Sequence, residues 1–108
     1  MAKIIKTEDN LIEFEDGTKI TCDHTPDCCE YNYADCEQID DLARAYDFDT
    51  SRLRVEGIDD SGFCFGDNPA RMFFVPCYSD QNGYYSDDID VYINGELQTN
   101  LACFERYC

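Results

Sequence analysis

Residues 22–36 read CDHTPDCCEYNYADC and hold the densest group of reactive side chains in the chain. This stretch contains four of the eight cysteines and the only histidine, with carboxylates between them. Thiolates, imidazoles and carboxylates are the side chains that bind transition metals in proteins. The stretch therefore predicts a metal-binding or thiol-based site, and the elements on either side of it determine how that site is held.

An N-terminal antiparallel hairpin is predicted immediately before this stretch. Leu11–Phe14 and Lys19–Cys22 alternate apolar and polar residues, and Asp16-Gly17 between them is typical of a hairpin turn. Lys3–Thr7 is a further strand candidate. Because side chains alternate along a strand, the hairpin brings Cys22 into the cysteine-rich stretch from the core side.

A helix is predicted after the stretch, from Tyr33 to about Tyr46. Asn32 is a favourable N-cap, and Asp35 places its charge beside the exposed amides of the first turn. Cys36 lies one turn ahead of the apolar residues, which favours a small buried hydrophobe over a metal ligand. The apolar stripe consists of residues at helical spacing, namely Ile39, Leu42, Ala43 and Tyr46.

The second half of the chain predicts antiparallel strands separated by turn signals such as Asn94-Gly95. The strand candidates are Leu53–Ile58, Phe63–Phe65, Met72–Tyr78, Ile89–Ile93 and Glu96–Phe104. We expect the sheet to carry an aromatic cluster of Phe63, Phe65, Phe73, Phe74, Tyr78, Tyr85 and Tyr92. The predicted fold class is α+β, a single domain over residues 1–108 in which one principal α-helix packs on an antiparallel sheet of hairpins.

The charge of the chain selects among classes of partner. The 24 Asp and Glu residues outnumber the 8 Lys and Arg residues and give a formal net charge of −16. Nucleic acids and anionic membranes need a basic footprint, so direct binding to either is excluded. A basic protein partner is favoured, and the alternative is a charge that serves solubility alone.

The N-terminal sequence MAKIIKTEDN has no apolar run of signal-peptide length, and no stretch of the chain is long and apolar enough to span a membrane. We therefore expect an intracellular, cytoplasmic protein. In a reducing compartment its cysteines are expected to be core residues or metal ligands and not four disulfides. If the protein were secreted, disulfide bonds would again be expected.

Zinc is the metal that these residues favour, because thiolates and imidazole are its preferred ligands. A metal also supplies folding free energy to a small domain with a long irregular loop. The alternative is a set of core cysteines with a surface histidine. The predicted structural zinc ligands are three residues of the stretch and one strand cysteine, His24, Cys28, Cys29 and Cys77, with Cys22 and Asp27 in reserve.

Catalysis has weaker support. His24 is close enough in sequence to activate Cys28 or Cys29, but a single histidine among eight cysteines meets that pattern by chance. Pro76-Cys77 lacks the second cysteine of the zinc-deaminase motif, and the chain has no HExxH motif. We expect a protein that is not an enzyme. A small metal- or thiol-dependent enzyme using Cys28, Cys29 and His24 is kept as an alternative.

Two segments carry a resemblance, DHTPDCCEYNYADCEQIDD at 23–41 and MFFVPCYSDQNGYYSDDIDVYING at 72–95. Together they resemble a family of small, acidic proteins of unknown function encoded by phages and prophages. Cysteine-rich acidic phage proteins of this size also resemble anti-CRISPR inhibitors, of which at least one acts on Cas9 and contains zinc. The resemblance implies candidate zinc ligands at His24, Cys28, Cys29 and Cys77, and it implies no partner-contact residue.

Charge and resemblance together predict a phage-encoded inhibitor of host defence that acts by binding and without chemistry. The expected partner is a basic nucleic-acid-handling effector such as Cas9, which holds its RNA–DNA heteroduplex in a positively charged channel. Carboxylates could occupy such a channel in place of phosphates, or steer association while aromatic side chains supply affinity. The alternative is a zinc-stabilised interaction module with a different host partner.

Overall fold

The computed structural model describes residues 1–23, 31–80 and 88–106. The strands of these residues form two β-sheets. The first sheet has the strand order β1-β2-β3-β8-β9; the second has the order β10-β7-β6-β5, and β4 also pairs with β7. All pairs are antiparallel except β10 with β7. The strands are β1 (Ile4–Glu8), β2 (Leu11–Phe14), β3 (Lys19–Asp23), β4 (Tyr31–Ala34), β5 (Arg54–Ile58), β6 (Gly62–Asn68), β7 (Arg71–Asp80), β8 (Asp88–Ile93), β9 (Glu96–Ala102) and β10 (Phe104–Arg106).

Both predicted hairpins are confirmed, and they lie side by side. β2 and β3 form the N-terminal hairpin, and β8 and β9 form the C-terminal one. Asn94 and Gly95 have positive φ angles of 50° and 83°, as a tight two-residue hairpin turn requires. The backbone N–H of Lys19 donates to Oδ1 of Asn94 at 2.9 Å. This bond holds the turn of the C-terminal hairpin against Lys19, the first residue of β3 in the N-terminal hairpin.

The predicted α+β fold is wrong, because the helix from Tyr33 to Tyr46 does not form. Its first residues belong to β4, which pairs with the C-terminal half of β7. A 3₁₀ turn follows at Cys36–Gln38. The only α-helix among the described residues is α1 (Asp41–Ala45), which has five residues. Within the same ranges, no helix has the length and apolar character needed to cross a membrane.

Asn32 explains why strand pairing prevails at the start of the predicted helix. The side chain that was expected to cap a helix is buried within β4. Its Oδ1 accepts a hydrogen bond from the hydroxyl of Ser79, and its Nδ2 donates to the carbonyl of Asp88 at 3.1 Å. These bonds tie β4 to β7 and β8, so tertiary pairing outweighs the local helical spacing.

The backbone conformation at both ends of the predicted apolar stripe is also not helical. Ile39 and Tyr46 have extended ψ angles of 150° and 138° and therefore lie outside any helix. Between them, the carboxylate of Asp40 caps α1 by accepting from the N–H of Leu42 at 2.9 Å. The helix that results is too short to cover a sheet.

Phenylalanine rings fill the space between the two sheets. Phe48, which follows α1, is fully buried. Its ring centroid lies 5.3 Å from that of Phe14 in the first sheet and 5.6 Å from those of Phe65 and Phe73 in the second. Its backbone N–H and C=O both bond to Ala2 at 2.8 Å. Phe48 therefore joins the two sheets at the centre of the core.

The predicted aromatic cluster is confirmed in part. Phe63, Phe65 and Phe73 are buried in the core. Phe74 is 43% exposed, because alternation along β7 turns it away from the core. Tyr78 and Tyr92 are only half-buried, and Tyr85 lies outside the described residues.

Candidate functional site

The two segments that carry the resemblance lie side by side in the fold. β4 from the first segment pairs with β7 from the second, so that Ala34 is opposite Cys77. β3 ends beside the start of β8. The ends of β3 and β7 and the starts of β4 and β8 therefore meet at one end of the protein. We call it the acidic end and define it by Asp23, Asp80, Asp88 and Asp90.

Three of these carboxylates share the outer face of the first sheet. Asp23 on β3 is directly opposite Asp90 on β8. The side-chain amide of Asn100 on β9 donates to Asp88 at 3.1 Å and to Asp90 at 2.9 Å. Like charges in opposite positions on neighbouring strands destabilise a sheet. The fold nevertheless places two carboxylates opposite each other and a third beside them, and the amide of Asn100 bonds to two of the three.

Tyr92 lies among these carboxylates, and their negative charge affects its pKa. Partial burial, followed by the nearby carboxylates of Asp90 and Asp23, raises the pKa of the Tyr92 phenol. The phenol oxygen lies 3.5 Å from Oδ2 of Asp90. The phenol therefore remains protonated at neutral pH, and the acidic end presents a hydrogen-bond donor among its acceptors.

Three aromatic rings form a row on the outer face of the second sheet. Tyr33 on β4, Tyr78 on β7 and Phe104 on β10 occupy matching positions on neighbouring strands. The centroid distances are 5.8 Å from Tyr33 to Tyr78 and 6.5 Å from Tyr78 to Phe104. Phe104 is 51% exposed. This aromatic row reaches the acidic end, because Asp80 follows Tyr78 by two positions on the same face of β7.

Among the four main predicted zinc ligands, the structure describes only Cys77, which is fully buried. The reserve ligand Cys22 is buried in β3. Over 1–23, 31–80 and 88–106, no three His, Cys, Asp or Glu side chains are placed to hold a metal ion. The zinc site therefore stays a prediction. The other three main ligands and the second reserve ligand lie outside the described residues, namely His24, Cys28, Cys29 and Asp27.

Cys77 has a partner that the sequence did not reveal. Its thiol is hydrogen-bonded to that of Cys103, and this bond, together with burial, raises the pKa of Cys77. Cys103 is also fully buried. Cys36 is buried as predicted, and burial raises its pKa to about 12. The thiols of Cys77 and Cys36 are therefore protonated at neutral pH, and each would have to lose a proton to act as a nucleophile or a zinc ligand.

A groove of about 460 Å³ lies beside α1. The guanidinium of Arg71 stands 5.9 Å from the ring centroid of Tyr46, whose hydroxyl donates to Asp67 at 3.0 Å. The described residues that line the groove offer neither a thiol nor a carboxylate, so they form no pair of nucleophile and base. They are Leu42, Ala45, Tyr46, Arg71 and Phe73.

Metal analysis tests the zinc prediction. Protein purified without chelators should contain about one zinc per chain, the content of a single four-ligand site. The Cys28→Ser variant should lose the metal. Cys64→Ser is the control, because Cys64 is half-buried in β6 and is not a predicted ligand. Metal-free protein with all eight thiols titratable would contradict the prediction.

The acidic end and the aromatic row lie on two sheets that β4 connects through Asn32. Their side chains are of the kinds that bind a partner: carboxylates, an amide, a phenol and exposed rings. No protein-family model, no curated protein and no solved structure matches the chain.

Proposed function

We propose that the protein is a phage-encoded, non-enzymatic inhibitor that binds a basic nucleic-acid-handling effector of host defence and blocks its access to DNA. The observation that carries the proposal is the position of Asp23 opposite Asp90, with Asp88 beside them. Three carboxylates are thereby concentrated on one face of the first sheet. A cationic groove would complement this negative charge, which gives the arrangement a function in the complex.

Charge and aromatic surface make separate contributions in this proposal. The net charge of −16 steers the protein toward a positively charged groove and accelerates the encounter. Once bound, the rings of the aromatic row stack with Arg side chains of the partner and anchor the complex. An RNA-guided nuclease of the Cas9 type is the first effector to test, because its nucleic-acid channel is positively charged.

Binding without chemistry has support from the described thiols. Cys22, Cys36 and Cys77 are buried, and burial contributes to raising the pKa of each. Buried, protonated thiols are poor nucleophiles. The alternative enzyme would use Cys28, Cys29 and His24, which lie outside the described residues.

A DNA-binding assay tests the proposed function. The protein is added to a guide-loaded Cas9-type nuclease, and target-DNA binding is measured by fluorescence anisotropy at increasing salt. We expect the protein to prevent DNA binding, and the inhibition to weaken by about tenfold or more between low and physiological salt, because salt screens the steering charges. Other defence nucleases form the rest of the panel.

The control is polyglutamate of the same net charge, which has the charge but not the fold. Weaker inhibition by polyglutamate would support a folded binding surface. Equal inhibition would show that charge alone acts, and no inhibition of any nuclease in the panel would reject the proposal.

A further inference from the structure

Cys77 lies on β7, and Cys103 immediately precedes β10, the strand that pairs with β7. Both are buried in the interior. Phe104 on β10 is opposite Tyr78 on β7 in parallel register, so Cys103, one position earlier, comes beside Cys77. Adjacent strands lie about 4.8 Å apart, and disulfides accept Cα separations of about 4.4 to 6.8 Å. The two thiols are also hydrogen-bonded to each other. Backbone spacing and sulfur contact therefore both suit a covalent bond.

We propose that Cys77 and Cys103 are an oxidation site that forms an intramolecular disulfide with a small-molecule disulfide as the oxidant. One protein thiolate attacks the small disulfide, forms a mixed disulfide and releases one small thiol. The second protein thiolate then displaces the other small thiol. The protein thiols lose two electrons and two protons, and the small disulfide takes up both to become two thiols.

All five described cysteines, including this pair, are free thiols, and strand register distinguishes the pair from the other three. Cys22 in β3 and Cys36 in the 3₁₀ turn are also buried, and both contribute to raising the pKa of Cys77. Cys64 faces the outer side of β6, opposite Phe74. Cys103 is the cysteine that strand register places beside Cys77, so the disulfide requires no change of strand pairing.

Access to the pair depends on local opening, because both thiols are fully buried. β10 has only three residues and lies at the edge of its sheet. Short edge strands open locally more readily than core strands do. We therefore expect slow oxidation of the native protein and faster oxidation in mild denaturant.

The disulfide would act directly on the aromatic row. Tyr78 and Phe104 follow the two cysteines in sequence and form the next register pair. A covalent bond between Cys77 and Cys103 would hold the two aromatic side chains together. It would also close a covalent loop of the chain that includes β8 and β9. It would also restrict the unfolded chain and so stabilise the fold.

The test is oxidation of the purified protein with glutathione disulfide, followed by mass spectrometry under non-reducing conditions. We expect loss of two hydrogen atoms. Cleavage after Glu96, which separates the two cysteines in sequence, should leave peptides of Cys77 and Cys103 linked until a reductant is added. The Tm should rise by about 10 °C on oxidation and fall again on reduction.

Two variants complete the experiment. Cys103→Ala should abolish the crosslink, whereas the control Cys22→Ala should retain it. The metal content of the same sample is measured, because zinc bound at Cys77 would protect that thiol. Metal-free protein that forms no crosslink in mild denaturant, or that links Cys77 to a different cysteine, would overturn the proposal. This outcome is independent of partner binding.

Discussion

Replacement of Phe48 by alanine is expected to remove about 3–5 kcal/mol from the free energy of unfolding. The ring is fully buried and contacts aromatic rings of both sheets, including those of Phe14 and Phe65. Its loss leaves a cavity that neither sheet can close alone, because each is held by its own hydrogen bonds. Urea unfolding followed by circular dichroism measures the change.

The matched control is Phe74→Ala, which removes the same ring from the outer face of β7, where it is 43% exposed. We expect this variant to lose about 1 kcal/mol, since much of the ring already contacts water. Equal losses in the two variants would show that Phe48 does not hold the sheets together.

Gly62→Ala is expected to lower the free energy of unfolding by more than about 4 kcal/mol or to prevent folding. A Cβ at position 62 would lie 2.0 Å from the carbonyl oxygen of Val75 and 2.9 Å from Cα of Pro76. Both atoms belong to the backbone of β7 and cannot turn aside as a side chain can. The two central strands of the second sheet would have to separate. Soluble yield and thermal unfolding measure the effect.

Gly57→Ala provides the comparison within the same sheet. A Cβ there would meet the side chains of Thr99 and Leu101 at 3.0 and 3.1 Å. The Thr99 hydroxyl can rotate away, and the Cβ of Leu101 has to give by only a few tenths of an ångström, so we expect a smaller loss of about 1–3 kcal/mol. A Gly62→Ala variant as stable as Gly57→Ala would contradict the close approach of β6 and β7.

Local patterns in the sequence predict the hairpins correctly. The Asn94-Gly95 turn and the alternation on either side of it are contained within a few residues, so no distant part of the chain is needed. β4 is different, because it is stabilised by Ser79 and by the backbone of Asp88, far away in sequence. The residues after Asn32 have helical spacing, and only the fold shows that strand pairing prevails.

The centre of the core illustrates a second limit. Phe48 stands between Asp47 and Asp49 in a segment without regular alternation or helical spacing, so no pattern marks it as buried. Its backbone pairs with that of Ala2, far earlier in the chain, and no local pattern indicates that pairing.

The sequence indicates which segments are acidic, but it does not indicate how their carboxylates are arranged in the candidate site. The acidic composition of the two segments is visible in the sequence, but the position of Asp23 opposite Asp90 depends on the register of two distant strands. The burial of Cys103 is weakly indicated by the sequence, since alternation from Leu101 places it on the buried face. That Cys77 is its neighbour can be seen only from the parallel pairing of β10 with β7.

The most direct test of the proposed function compares charge variants at two ends of one sheet. Asp23→Asn combined with Asp90→Asn neutralises the acidic end. Glu96→Gln with Glu13→Gln removes the same number of charges on the same sheet without changing the acidic end. Inhibition of DNA binding by a guide-loaded Cas9-type nuclease is measured for both, with Tm as the check on folding.

We predict that the Asp23 and Asp90 variant inhibits at least about tenfold less well than the parent protein, because two of the charges that would meet the cationic groove are gone, while a Tm close to that of the parent shows that the variant is folded. The Glu96 and Glu13 variant should inhibit nearly as well as the parent. Equal inhibition by the two variants would contradict a binding site at the acidic end.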